Sequence, residues 1–175
     1  AQVVAKVREL FDTRPNTIPL SGNHEAMMIY AMAGDEQALR IWMGNGGRET
    51  LASYADADGK IDEERLRADA LWMSDMPMAL RDDHRIFVHA GLWVTKPFEE
   101  QPDEALHWHR YPDTDWHGFE GLHVVHGHTP DPNGPVTKGN RTALDVGAVW
   151  TGRYVVAVFD NSVAGGPVRV IEVHG

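Results

Sequence analysis

The chain of 175 residues contains no cysteine, which excludes both disulfide bonds and thiolate metal ligands. It also lacks any apolar run near the roughly 20 residues that a membrane-spanning helix needs. Basic residues are scarce, because 16 Lys and Arg stand against 26 Asp and Glu, giving a net charge of −10. Nucleic-acid binding depends on clustered Lys and Arg, so no nucleic-acid partner is expected. We expect a cytoplasmic protein without membrane association.

The chain does contain enough apolar sequence for one domain with a core, since 42% of its residues are hydrophobic. Helical patterns occupy the first half, at residues 3–11, 26–30, 35–43 and from Asp62 onward. The second half predicts five strands, at residues 85–88, 122–125, 141–144, 154–159 and 168–173. We therefore predict a single α/β domain that spans residues 1–175 around a sheet core.

Three short apolar runs, each predicted to be an extended strand, end in residues that are common metal ligands. The runs and their corner residues are 17–20 with Asn23 and His24, 86–88 with His89, and 122–125 with His126 and His128. Amide oxygens and imidazole nitrogens suit manganese, iron or zinc better than calcium. Because polar residues follow each run in the same way, we expect the three corners to converge on one site.

The motifs at these corners, in this order, resemble those of the calcineurin-like metallophosphoesterases, and in particular the bacterial phosphoprotein phosphatases. The matching segments are 22–25 (Gly-Asn-His-Glu), 87–92 (Phe-Val-His-Ala-Gly-Leu), 127–130 (Gly-His-Thr-Pro), 42–47, 108–110 and 144–149. The resemblance extends from the first helix to Phe159. It implies the calcineurin-like metallophosphatase fold, an α/β arrangement in which a β-sandwich is flanked by helices.

The resemblance also implies two divalent metal ions (manganese, iron or zinc) in the complete protein. Asn23, His89 and His128 would be the ligands of the second metal. His24 would be the general acid that protonates the leaving alcohol. The Gly-His-Thr alignment favours His128 over His126 as the ligand.

Two further residues would contact the substrate. Arg110 would bind a phosphoryl oxygen, because a guanidinium offers fixed donors, although a solvated surface charge is the alternative. Trp150 would flank the substrate, and a tryptophan of the hydrophobic core is the alternative. Glu25 is expected to support the start of its helix.

One part of the family pattern does not occur in these residues. The family has Asp-x-His and Gly-Asp-x-x-Asp-Arg-Gly motifs that supply the first metal's ligands and the bridging aspartate, and neither precedes Ala1. The segments 82–84 and 115–117 look similar but do not follow a predicted strand, so they are rejected. We therefore expect an additional N-terminal segment of a few dozen residues, and poor catalysis from residues 1–175 alone.

The function expected from the resemblance is metal-dependent hydrolysis of phosphomonoesters. The substrate would be a phosphoserine or phosphothreonine protein, or a small phosphoester, attacked by a metal-activated hydroxide. Two alternatives stay open: a dinucleoside polyphosphate hydrolase on the same fold, and a non-catalytic metal-binding scaffold.

Overall fold

The computed structural model describes all 175 residues, which form two compact units, Ala1–Pro77 and Met78–Gly175. The first unit is helical, and every strand lies in the second. The chain is therefore mixed α/β, as the sequence predicts, while the single domain over residues 1–175 stays a prediction. None of its helices combines the length and the apolar character that crossing a membrane requires.

The first unit contains five α-helices. Their bounds are α1 Gln2–Thr13, α2 Asn23–Met32, α3 Glu36–Trp42, α4 Arg48–Ser53 and α5 Glu63–Ser74, with a π-helical turn at Met43–Gly47. Asp62 caps α5 as predicted, since its Oδ1 accepts a hydrogen bond from the Arg65 N–H at 3.0 Å. The predicted break after α3 is also confirmed, because Asn45 and Gly46 leave helical geometry.

The predicted extended strand at residues 17–20 is wrong. This segment has no regular secondary structure and leads directly into α2. Pro19 has no N–H to donate, so the segment cannot offer a continuous row of ladder donors. A backbone hydrogen bond from Ser21 N–H to Pro77 O, at 3.0 Å, fixes its end.

Three methionines contribute to the core of the first unit, where their flexible side chains can fill irregular spaces. The buried core residues are Met27, Met28, Ala31, Trp42, Tyr54, Leu66, Ala70 and Met73. One buried carboxylate stands beside them: Asp69 is 3% exposed. It accepts hydrogen bonds from the Tyr54 hydroxyl at 2.8 Å and from Arg8 Nη1 at 2.6 Å. These bonds satisfy a charge whose burial would otherwise be unfavourable.

The second unit is built on a five-stranded mixed sheet. The strands are β1 Ala79–Arg81, β2 Arg85–Val88, β3 His123–His126, β4 Val136–Lys138, β5 Arg141–Ala143, β6 Arg153–Val158 and β7 Arg169–His174. The order is β1-β2-β3-β5-β4, in which β2, β3 and β5 are parallel and the two edge strands antiparallel. Strands β6 and β7 form a separate antiparallel pair. The helices are α6 Asp103–Trp108 and α7 Ala148–Thr151, with a 3₁₀ turn at Phe98–Glu100.

The two faces of the five-stranded sheet carry different side chains. Ile86 pairs with Val124, and Val124 with Arg141, so these three residues share one face. Ile86 and Val124 pack there in a core with Leu106. Phe87 points to the opposite face, because successive side chains of a strand alternate.

The opposite face is tied to the loop that follows β6. The rings of Phe87 and Phe159 meet edge to face with centroids 5.5 Å apart. Arg85, fully buried, donates from Nε to Gly165 O at 2.9 Å and from Nη2 to Asp160 O at 3.0 Å. Its Nη2 also donates to Val163 O. One guanidinium therefore binds three main-chain carbonyls of this loop.

Candidate functional site

The carboxyl ends of the parallel strands bring two of the predicted corners together. His89 follows β2 directly, and Gly127 and His128 follow β3. The Gly127 N–H donates to His89 O at 2.9 Å, which joins the two loops. Because β2 and β3 are parallel neighbours, their side chains at this edge point into the same region.

His89 and His128 form a close pair of imidazoles. His89 Nε2 lies 3.3 Å from His128 Nδ1, and the ring centroids are 5.1 Å apart. Two nitrogens bound to one tetrahedral ion at metal distances of about 2.0–2.1 Å would be separated by about 3.3–3.4 Å. The observed spacing therefore fits shared coordination of a divalent metal ion, as well as a direct N–H···N hydrogen bond.

His128 adopts an unusual backbone conformation. Its φ is +61°, in the left-handed region that few residues other than glycine occupy, although asparagine, aspartate and histidine do so more often than the rest. The neighbouring Gly127 O accepts from the Thr129 N–H at 2.7 Å, which closes the turn around His128. Such conformations recur at functional sites, where the surrounding structure imposes them.

Sequence reasoning gave no role to Trp108, although the Trp-His-Arg motif contains it. Trp108 ends α6, and its ring lies edge-on to His128 with centroids 6.0 Å apart. Arg110 follows two residues later and has an exposed side chain. That exposure is compatible with both the phosphate-binding role and the solvated charge, so the choice between them stays open.

His126 is oriented differently from its neighbour His128. It is 5% exposed, and its Nδ1 donates to Gly127 O at 2.9 Å. Burial lowers the pKa of His126 to about 4, against the opposing effect of the Gly127 carbonyl. The Tyr111 ring lies 5.2 Å from the His126 ring. Of the two histidines in the motif, His128 is the one that meets His89.

Asn23 and His24 lie at the start of α2, in the first unit. Asn23 is buried and His24 exposed. Glu25 supports the helix start as predicted, because its Oε2 accepts from the Gly22 N–H at 2.9 Å. A cavity of about 540 Å³ in this unit is lined by His24 and Glu25 together with Trp42. The shared coordination of Asn23 with His89 and His128 stays a prediction.

Trp150 is not a core residue. It lies in α7 with 73% of its surface exposed, so the core alternative is wrong and its place beside the substrate stays a prediction. Gly147 precedes this helix with a φ of +66°, and a Cβ there would come within 2.8 Å of the Trp150 ring. Only glycine combines this left-handed φ with the absence of a Cβ that would collide with the Trp150 ring.

The rejected lookalike segments are turns. The Asp82 carboxylate accepts from the N–H groups of His84 and Arg85, at 2.7 and 2.6 Å. The Asp115 carboxylate accepts from the His117 N–H at 3.0 Å. Both are aspartates bound to their own backbone, which is typical of turns.

Sequence reasoning missed a group around Arg141, the first residue of β5. Its guanidinium carbon lies 3.8 Å from the centroid of the Tyr111 ring and 4.8 Å from that of Trp116. Burial, and then the charge of Arg141, lowers the pKa of His109, whose ring contacts Tyr111 at 4.7 Å. An arginine at the start of a strand is usually exposed to solvent, so nothing in the sequence indicated this group.

No group of three or more His, Asp or Glu side chains is arranged to hold a metal ion. The predicted ligand set contains only two such side chains, His89 and His128, because Asn23 contributes an amide oxygen. A comparison with protein-family models, curated proteins and solved structures finds no match to this chain.

Proposed function

We propose that this chain belongs to a metal-dependent phosphatase that hydrolyses phosphomonoesters, in phosphoserine or phosphothreonine proteins or in small molecules. The observation that supports this best is the 3.3 Å separation of His89 Nε2 and His128 Nδ1 at the ends of adjacent parallel strands. Both histidines stand in the motifs on which the family resemblance rests.

In this proposal His89, His128 and Asn23 hold one of two divalent ions of manganese, iron or zinc. Imidazole nitrogens and an amide oxygen are suitable donors for these ions. A bound divalent ion lowers the pKa of a water molecule and neutralises charge on the phosphoryl oxygens. The 3.3 Å spacing gives two of the three ligands the mutual geometry that this role requires.

The other proposed roles belong to exposed side chains. His24, exposed at the start of α2, donates a proton to the leaving alcohol. Arg110, exposed beyond α6, donates hydrogen bonds to a phosphoryl oxygen. Trp150, exposed on α7, packs beside the substrate. Their accessibility is compatible with contact to a substrate that arrives from solvent.

We further propose that the fold is the calcineurin-like β-sandwich flanked by helices. The mixed sheet with parallel central strands and the second antiparallel sheet are compatible with it. So is the packing of Phe87 against Phe159, which brings the end of β6 to the face of the larger sheet.

The test uses the full natural chain with manganese added. Hydrolysis is measured for a phosphoserine peptide, for p-nitrophenyl phosphate and for diadenosine tetraphosphate. We expect turnover of the first two, loss of turnover with a chelator, and background rates in His89→Ala and His128→Ala. His117→Ala, which removes an exposed imidazole, serves as the control and should keep the wild-type rate.

The outcomes separate the alternatives. Turnover of diadenosine tetraphosphate alone would assign the chain to the dinucleoside polyphosphate hydrolases instead. Metal binding that depends on His89 and His128, without turnover of any substrate, would identify a metal-binding scaffold. Undiminished turnover in both variants would contradict the proposed metal site itself.

A further inference from the structure

We propose that the second unit contains a phosphate-binding cavity in which Arg141 binds an oxyanion that also bears a proton. The cavity has a volume of about 300 Å³, and Tyr111, Trp116, His126, Thr129 and Arg141 are among its lining residues. None of these residues belongs to the proposed hydrolytic site. The ligand class is inorganic phosphate or the phosphate group of a small molecule.

Arg141 is a buried cation with unused donors. The residue is 2% exposed, and its buried Nε and Nη1 atoms have no hydrogen-bond partner. Buried charges in proteins are nearly always paired, because removing an ion from water without a compensating partner is strongly unfavourable. A buried guanidinium with two unused donor atoms therefore indicates that an acceptor belongs at this position.

Arg85 provides a comparison within the same unit. It is equally buried and its Nη1 also lacks a partner, but its Nε and Nη2 donate hydrogen bonds to three main-chain carbonyls of the loop after β6. Arg85 therefore has a structural role that accounts for its burial. The protein supplies Arg141 with no equivalent set of acceptors.

The side chains nearest to Arg141 do not take the place of an anion. The Tyr111 and Trp116 rings lie against its guanidinium and stabilise the cation, but an aromatic face does not accept the in-plane N–H bonds. The carboxylates of Asp113 and Asp131 also line the cavity. Asp131 accepts from the Asn133 N–H at 2.9 Å and Asp115, nearby, from the His117 N–H at 3.0 Å. No carboxylate is bound to Nε or Nη1 of Arg141. Burial lowers the pKa of Arg141, with Tyr111 and Asp115 opposing, as expected for an incompletely compensated cation.

His126 gives the cavity a hydrogen-bond acceptor, whereas Arg141 offers only donors. It lies on the strand next to Arg141, where it pairs with Ala143 and so shares the sheet face of Arg141. Its Nδ1 donates to the Gly127 carbonyl, which leaves Nε2 as an acceptor. Nε2 is buried and has no partner. A ligand that carries both acceptor oxygens and an O–H group would satisfy Arg141 and His126 together.

Phosphate has this combination at neutral pH, since it retains a proton on one oxygen, whereas sulfate has none. The cavity is therefore expected to prefer phosphate to sulfate. Bound sulfate would leave the His126 Nε2 atom without a hydrogen bond, and unpaired buried groups of this kind are a usual source of discrimination between ligands.

The experiment uses the full natural chain in a chelator, so that no metal site contributes. Phosphate and sulfate are titrated by calorimetry at pH 7.5 and constant ionic strength, and the melting temperature is recorded with each anion. We expect phosphate to bind and raise the melting temperature, and sulfate to bind more weakly. In Arg141→Met the phosphate affinity should fall about 10- to 100-fold, the range for hydrogen bonds to charged groups.

Two control variants define the location. Arg169→Met removes an exposed arginine of β7, and Arg40→Met removes an exposed arginine of α3. Both should bind phosphate as the wild type does. Phosphate affinity that is unchanged in Arg141→Met, or lost only in Arg110→Ala, which removes the arginine assigned to the hydrolytic site, would overturn the proposal.

A fluorescence titration keeps the test independent of the folding of Arg141→Met. Trp116 lies 4.8 Å from the guanidinium carbon, so phosphate bound there should change its emission. The change should be absent in Trp116→Phe while calorimetry still detects binding. The same emission change in wild type and Trp116→Phe, or no phosphate binding at all, would overturn the cavity assignment, and equal affinity for sulfate would overturn the contact to His126.

Discussion

The Gly127 N–H donates to the carbonyl oxygen of His89 at 2.9 Å, so the loops after β2 and β3 are fixed to each other by their main chains. The positions of the His89 and His128 side chains follow from this link. Because the link does not involve either imidazole, substitution of one histidine should leave the other in place.

Replacement of His128 should weaken metal binding in a graded way. Asparagine tolerates the left-handed φ of this position and offers an oxygen ligand, whereas alanine does neither. We expect zinc or manganese affinity, measured by calorimetry on the full natural chain, to fall in the order wild type, His128→Asn, His128→Ala. Equal affinity in all three proteins would show that the imidazole is not a ligand.

Loss of His24 should slow the chemical step. General acid catalysis typically contributes roughly 10²–10⁴-fold, so kcat of His24→Ala should fall by about that factor with phenyl phosphate. The decrease should be smaller with p-nitrophenyl phosphate, whose leaving group needs less protonation. An equal decrease for both substrates would indicate a folding or binding role instead.

Loss of Arg110 should weaken the affinity for phosphate at the hydrolytic site. In Arg110→Ala, the competitive inhibition constant of free phosphate should rise while kcat changes less, because one set of charge-assisted bonds is removed. Arg169→Ala is the matched control on an exposed strand. Inhibition that is identical in Arg110→Ala and wild type would leave the solvated-charge interpretation.

The Tyr54 hydroxyl should matter for stability. It donates at 2.8 Å to the buried Asp69 carboxylate, and hydrogen bonds to charged groups contribute about 1.5–3 kcal/mol. The free energy of unfolding in urea should therefore fall by roughly that amount in Tyr54→Phe. Tyr154→Phe, at a 53% exposed residue, should change it little, and a similar decrease in both variants would contradict this role.

Stability should decrease in mild acid because of His123. Burial, and then the charge of Arg85, lowers the pKa of this imidazole below its ordinary value of about 6.5. As the pH falls below about 6.5, the unfolded chain takes up a proton that the folded chain does not, so the free energy of unfolding decreases.

The pH dependence of the free energy of unfolding is measured for wild type, His123→Gln and His117→Gln. The last variant replaces an exposed histidine and serves as the control. His123→Gln should show a smaller loss of stability between about pH 6.5 and 5 than wild type, and His117→Gln the wild-type loss. Some pH dependence should remain, because burial lowers the pKa of His126 as well. Equal pH dependence in all three proteins would exclude His123 as a contributor.

The sequence was informative where a local pattern determines the structure. The strands at 85–88, 122–125, 141–144, 154–159 and 168–173 correspond to β2, β3, β5, β6 and β7. Strands β1 and β4 were missed, because each lies at an edge of the sheet and depends on an antiparallel neighbour rather than on its own apolar run. The strand at 17–20 failed for the opposite reason: its residues are apolar, but Pro19 interrupts the donors.

In the candidate site, too, some contacts follow from local sequence patterns and others do not. The pairing of His89 with His128 follows from two parallel strands, each ending in a histidine motif, and this could be anticipated. The burial of Arg141 could not, because it depends on Tyr111 and Trp116 from a segment without regular structure. Contacts of this kind are set by packing between distant parts of the chain, which leaves no periodic pattern in the sequence.

Arg85 has a consequence for which substitutions this protein can accept. Its guanidinium binds the carbonyl oxygens of Asp160, Val163 and Gly165, and every amino acid has such an oxygen. These three bonds to the loop after β6 do not depend on the identity of its side chains, several of which are exposed. Diversity should therefore concentrate at residues 161–164 in a randomised library selected for folding. Phe159, which packs on Phe87, Gly165, whose φ is +102°, and the arginine codon at position 85 should be retained.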